Sequence, residues 1–109
     1  MPIFTDIDAV EHVLRSTASL LLDVRDEHEF AHGSLPGSIN IPYRLLRARA
    51  GEFPAGGVIV PFCESGARAA IAGSILVAAG LDARPLVEGG VSRWLQSRAR
   101  GGSRGRADS

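Results

Sequence analysis

The stretch VIVPFCESGARAAIAGSILVAAG, residues Val58 to Gly80, contains in immediate succession a strand, a cysteine, a loop and a helix. Val58 to Phe62 is a short apolar run that ends at Cys63, the only cysteine of the chain. Glu64-Ser65-Gly66-Ala67 then turns the backbone. Arg68 leads into an Ala-rich segment with apolar residues at helical spacing, which Gly80 stops. A cysteine between the carboxyl end of a parallel strand and the start of a helix faces backbone N–H groups that lack intrahelical acceptors. Both those donors and the helix dipole favour an anion, so the thiol is a candidate thiolate. Gly66 suits a tight loop whose amides converge on one centre. Arg68 would add a positive charge and a fork of donors at the rim. A lone cysteine after an apolar strand is also compatible with a small buried hydrophobe. The polar Glu-Ser-Gly-Ala-Arg flank shifts the balance toward chemistry.

Before this stretch, Ile3-Phe4 is a candidate edge strand. Thr5, three residues before Asp8, offers a cap for a helix from about Asp6 to Arg15 with Ile7, Val10 and Leu14 on its apolar face. Ser19 to Val24 is continuously apolar before its acid, as expected of a strand buried on both faces, and it delivers Asp23 and Arg25 to the end where open α/β sheets place their sites. Asp26 to Ala31 is a short helix that Gly33 and Pro36 end. Ser38 to Ile41 is another strand, Tyr43 to Ala50 a helix bearing Arg44, Arg47 and Arg49, and Gly51 to Gly57 a loop. Ala83 to Val87 completes the strands despite Pro85, and Val91 to Ser97 is a closing helix. The alternation predicts a small α/β three-layer sandwich around a mostly parallel five-stranded sheet. Pro61 removes a ladder donor from the central strand, which predicts a bulge or a terminal unpaired position there.

The chain has 109 residues, enough for one small domain. A single cysteine excludes an internal disulfide framework, and no apolar stretch reaches the roughly 20 residues of a membrane span. The start lacks the basic-then-apolar pattern of a secretion signal, so a cytoplasmic monomer is expected. The 12 basic residues, all arginine, balance 12 acidic ones. Residues 98–109 carry four of those arginines against one acid, which leaves the body mildly acidic. That Gly/Arg/Ser-rich tail reads as disordered, and without aromatic residues it makes a poor nucleic-acid arm. The expected organisation is a domain over residues 1–97 and a tail over 98–109.

His28-Glu29-Phe30-Ala31-His32 matches the H-E-x-x-H pattern of zinc metalloproteases letter for letter. Gly33 and Pro36 end the helix too early to hold both imidazoles rigidly, and His12, the one remaining histidine, lies upstream. No metal site is expected.

Cys63-Glu64-Ser65-Gly66-Ala67-Arg68-Ala69 resembles the active-site loop of a single-domain rhodanese, a sulfurtransferase. Other markers occur in the family's order: Leu20-Leu21-Leu22-Asp23-Val24-Arg25, then Gly33-Ser34-Leu35-Pro36-Gly37-Ser38-Ile39-Asn40-Ile41-Pro42, then Glu88-Gly89-Gly90 followed by Trp94. The resemblance spans about Phe4 to Gln96. It implies that Cys63 takes the outer sulfur of thiosulfate or a related sulfane donor and holds it as a persulfide among the amides of Glu64, Ser65, Gly66, Ala67, Arg68 and Ala69. The sulfur would then pass to cyanide or an external thiol or carrier protein, with no cofactor. Asp23 and Arg25 would brace the loop from behind. Ser34 stands where the family commonly has a histidine, so the imidazole's hydrogen bond must be replaced or lost. Glu64 beside the nucleophile would oppose an anion unless it points to solvent.

Other classes are open. One is a binding or regulatory module with an idle cysteine, which Pro61 and Glu64 would favour. A related phosphatase or arsenate reductase is disfavoured because the resemblance implies one more loop residue than the six from Cys63 to Arg68. A thiol reductase is disfavoured by the absence of a Cys-x-x-Cys pair.

Overall fold

A computed structural model describes residues 1–96 except Thr17 and Ala55; the tail over 98–109 expected to be disordered lies outside the described residues. Helix α1, Ile7–Ser16, precedes strand β1, Ser19–Asp23. Next come helix α2, Glu27–Ala31, the two-residue strand β2, Ile39–Asn40, and helix α3, Tyr43–Arg49, which tightens into a 3-10 turn over Ala50–Glu52. Strand β3, Val58–Phe62, leads into helix α4, Ala67–Ala78, and residues 91–96 are helical. Asp6 rather than Thr5 caps α1: its Oδ1 accepts the Ala9 N–H at 2.8 Å, satisfying a first-turn donor.

The sheet order is β2-β1-β3, all parallel, with Leu22 opposite both Ile39 and Pro61. The five-stranded expectation is therefore corrected: among the described residues the sheet has three strands, and Phe4 and Ala83 enter only as isolated parallel bridges, Ile59 to Ala83 and Leu86 to Phe4. Two prolines explain this. Beside β3 the ladder begins normally, with Ile59 N–H donating to the Asp82 carbonyl and Arg84 N–H to the Ile59 carbonyl, both at 2.9 Å. The next donor toward that segment would be residue 61, and proline has no N–H; Leu86 N–H to the Pro61 carbonyl at 2.9 Å is the bond that survives. Pro85 removes a donor on the outer side in the same way, where Val87 N–H reaches the Phe4 carbonyl. Pro61 is thus neither at a bulge nor at the strand's end but inside β3, its donorless edge turned from β1.

Side chains alternate across the sheet and build two apolar layers. Leu21, Val58, Val60 and Phe62 pack with Val10 of α1, Leu86, Val91 and Trp94. Leu22, Val24, Ile59 and Cys63 pack on the other face with Leu46 of α3 and with Ala69, Ala72 and Leu76 of α4. The three-layer α/β sandwich is as expected. Cys63 continues the odd-numbered face of β3, and that register carries its side chain beneath the start of α4. At the far end of α4, Gly80 takes φ +86°, with Gly80 N–H on the Val77 carbonyl and Leu81 N–H on that of Leu76, closing the helix.

Candidate active site

Cys63 is fully buried. Its sulfur is nonetheless hydrogen-bonded: the Gly66 N–H donates to Sγ at 3.0 Å, from the residue that caps α4. Gly66 has φ +97°, and a side chain there would collide with the Val87 carbonyl. Only glycine fits such a backbone without strain. Gly90 closes the other side, because a side chain there would drive into the Cys63 and Glu64 carbonyls. Val91 N–H donates to the Cys63 carbonyl at 3.3 Å. The residue after β3 is therefore clamped between α4 and the segment that starts the last helix. In the sequence Gly89-Gly90 stood only as part of a family marker, and the close approach that Gly90 makes was not legible there.

Asp23 and Arg25 form a buried fork behind the loop. Arg25 Nε donates to Asp23 Oδ1 at 3.0 Å and Nη2 to Oδ2 at 2.8 Å; Nη2 also reaches the Gly33 carbonyl at 2.7 Å. The guanidinium is held protonated, its hydrogen bond to Asp23 and the charges of Asp23, Glu64 and Glu29 outweighing the opposing effect of burial. Ser34 Oγ donates to Asp23 Oδ2 at 2.7 Å, so the hydroxyl gives Asp23 a hydrogen bond from the position where the resemblance placed an imidazole. Asn40 Nδ2 ties the backbone carbonyls of Asp23 and Arg25, joining β2 to the same network.

Glu64 does not simply face solvent. Its Oε1 accepts the Ser92 N–H at 3.0 Å and its Oε2 the Ser92 hydroxyl at 2.6 Å, with Oε1 3.9 Å from Arg25 Nη1. The carboxylate is turned onto the start of the last helix, where unpaired N–H groups favour it.

Arg68 lies on the first turn of α4, as the sequence placed it, but it is engaged. Its Nη1 and Nη2 donate to Glu29 Oε1 and Oε2 at 2.8 and 3.2 Å. Glu29 is further fixed by the Asp26 N–H at 3.1 Å. The Arg68 hydrogen bonds hold the Glu29 carboxyl down to about 2, and Glu29 in turn raises the Arg68 pKa. In the sequence Glu29 belonged to the H-E-x-x-H pattern and to the segment, Glu29 to Gly33, that resembles the family's lead into the turn at Pro36, with no role of its own. In place of a general base, the structure gives it to Arg68, while His32 Nδ1 lies 2.7 Å from the His28 carbonyl. Two of the three arginines of α3 are paired elsewhere, Arg44 with Asp26 and Arg49 with Glu52 at 2.9 Å, while Arg47 is exposed. A cavity of about 500 Å³ lined by Leu20, Ile39, Phe53 and Val58 opens at the opposite ends of the strands and shares no residue with this loop.

Residues 6–97 match the family model described as Rhodanese-like domain. A protein of Allochromatium vinosum named a sulfurtransferase is 31% identical over 92 residues, covering 84% of this chain and 86% of that protein. The chloroplastic thiosulfate sulfurtransferase 16 of Arabidopsis thaliana is 30% identical over 100 residues, with 81% and 83% covered. The crystal structure of a rhodanese-related protein from Thermoplasma volcanium superposes with a TM-score of 0.76 at 30% identity, covering 89% of this chain and 93% of that one.

Proposed function

The chain belongs to the rhodanese-like domain family, and on that footing we propose that it is a sulfurtransferase whose Cys63 carries sulfane sulfur as a persulfide. The observation that carries the reading is the Gly66 N–H aimed at Cys63 Sγ from the start of α4. A donor directed at sulfur stabilises charge there, and the neighbouring first-turn amides have no acceptor within the helix. The thiolate attacks the outer sulfur of thiosulfate or a related donor. The S–S bond of thiosulfate breaks, sulfite leaves with the electron pair, and the transferred sulfur remains on Sγ as Cys–S–S⁻. Because Cys63 is the only cysteine, an external thiol, a carrier protein or cyanide must remove it. No cofactor is needed. The domain over residues 1–97 acts without the 98–109 segment, as a cytoplasmic monomer. Among the described residues no helix is long and apolar enough to cross a membrane.

The burial of Cys63 within an apolar cluster favours a second reading, a partner-binding module with an idle thiol. Incubation with excess thiosulfate, and separately with a thiol persulfide, followed by intact-mass measurement, separates the two. A gain of about 32 Da that dithiothreitol removes supports sulfur transfer. An unmodified mass with both donors supports the idle module.

A further inference from the structure

We propose that Glu29 is a specificity-determining residue: its two-point ion pair withholds Arg68 from dianionic donors and biases Cys63 toward sulfane sulfur carried on a thiol. The inference rests on the reading that Cys63 accepts sulfur, and adds the class of donor. Arg68 is the cation of the loop itself, and both of its terminal nitrogens are on Glu29. The pair is partly shielded, with the side chains 29% and 26% exposed. Glu29 is also held from behind by the Asp26 N–H, so it is a fixed rather than a swinging partner.

The other nearby guanidinium is no freer. Arg25 is bound to Asp23 and the Gly33 carbonyl, and its remaining nitrogen lies 3.9 Å from Glu64. Asp23, Glu29 and Glu64 thus set three carboxylates against two guanidiniums, and the Arg44–Asp26 pair adds one charge of each sign. Around a thiolate nucleophile this frame has no spare positive charge for a substrate that brings two negative ones. Thiosulfate is such a substrate. A thiol persulfide brings at most one. Its transfer balances without a further reactant: Cys63 thiolate attacks the terminal sulfur of R–S–SH, the S–S bond breaks, R–S⁻ leaves and takes up a proton from water, and Cys63–S–SH remains.

The test compares kcat/KM for thiosulfate with kcat/KM for the persulfide of 2-mercaptoethanol, cyanide being the common acceptor. Glu29→Gln keeps an oxygen for the Asp26 N–H but removes the charge, and should raise the thiosulfate-to-persulfide ratio about tenfold, or about 1.4 kcal/mol. The gain should vanish in the Glu29→Gln, Arg68→Ala double variant, because it acts through the released guanidinium. If Glu29→Gln does not fold, Glu29→Ala carries the same expectation. A ratio that is unchanged or lower in a folded Glu29 variant overturns the proposal. Failure of both donors to place sulfur on Cys63 would instead remove the sulfurtransferase reading itself.

Discussion

Cys63, Gly66 and Arg68 were legible from their order alone, because a strand-loop-helix junction fixes where a cysteine and the first helical amides meet. What those residues touch was not legible. Arg68 finds Glu29 39 positions away, and Glu64 finds Ser92 28 positions away. No local period encodes such pairs, and an H-E-x-x-H spelling disguised one of them. Arg68→Ala should lower kcat/KM for thiosulfate by no more than about threefold, less than the roughly 1.5–3 kcal/mol of a free charged hydrogen bond, since Glu29 already occupies the group. Alkylation of Cys63 should persist, and a roughly tenfold or greater loss with thiosulfate would show that Arg68 reaches the donor despite Glu29. Ser34→Ala should destabilise the fold by about 1–2 kcal/mol in denaturant titration, because buried Asp23 loses one of its donors while Arg25 remains. A change of a few tenths would show the hydroxyl to be a spectator.

At the level of elements, the helices and the two central strands follow closely from apolar spacing and from the turn residues, and β3 occupies Val58–Phe62 as the sequence placed it. The strands expected at Ile3-Phe4 and at Ala83 to Val87 do not form as ladders. Apolar content gave them the look of strands, but pairing needs donors, and Pro61 and Pro85 lack them where the neighbours come alongside. The loop that follows Cys63 depends on two glycines whose need is set by other elements: Val87 against Gly66, and the Cys63 carbonyl against Gly90. Gly66→Ala combines a left-handed φ with a collision and should cost more than the roughly 1–3 kcal/mol of backbone strain alone. Gly90→Ala should displace the Cys63 backbone. Both should lower the melting temperature and sulfur transfer together. A Gly90→Ala protein with wild-type turnover would mean that the clamp on Cys63 is not needed.

Across the whole molecule, paired charges frame the site and should make stability depend on pH in a definite direction. Glu29 is held at about 2, below its ordinary 4.5, chiefly by the Arg68 hydrogen bonds. A depressed carboxyl contributes stability that is fully present above pH 4.5 and is lost as pH falls through about 2. The stability gap between wild type and Glu29→Gln should therefore narrow over that window; a constant gap would place the pair's contribution in packing. Family membership, the sandwich and the loop meet at one chemical claim, that sulfur resides on Cys63. Its most direct measurement is the intact mass of the full chain after exposure to excess thiosulfate or thiol persulfide. The wild-type protein should gain about 32 Da, lose it to cyanide with release of thiocyanate, and show neither event as Cys63→Ala. An unmodified wild-type mass with both donors, or an adduct that persists in Cys63→Ala, would contradict it.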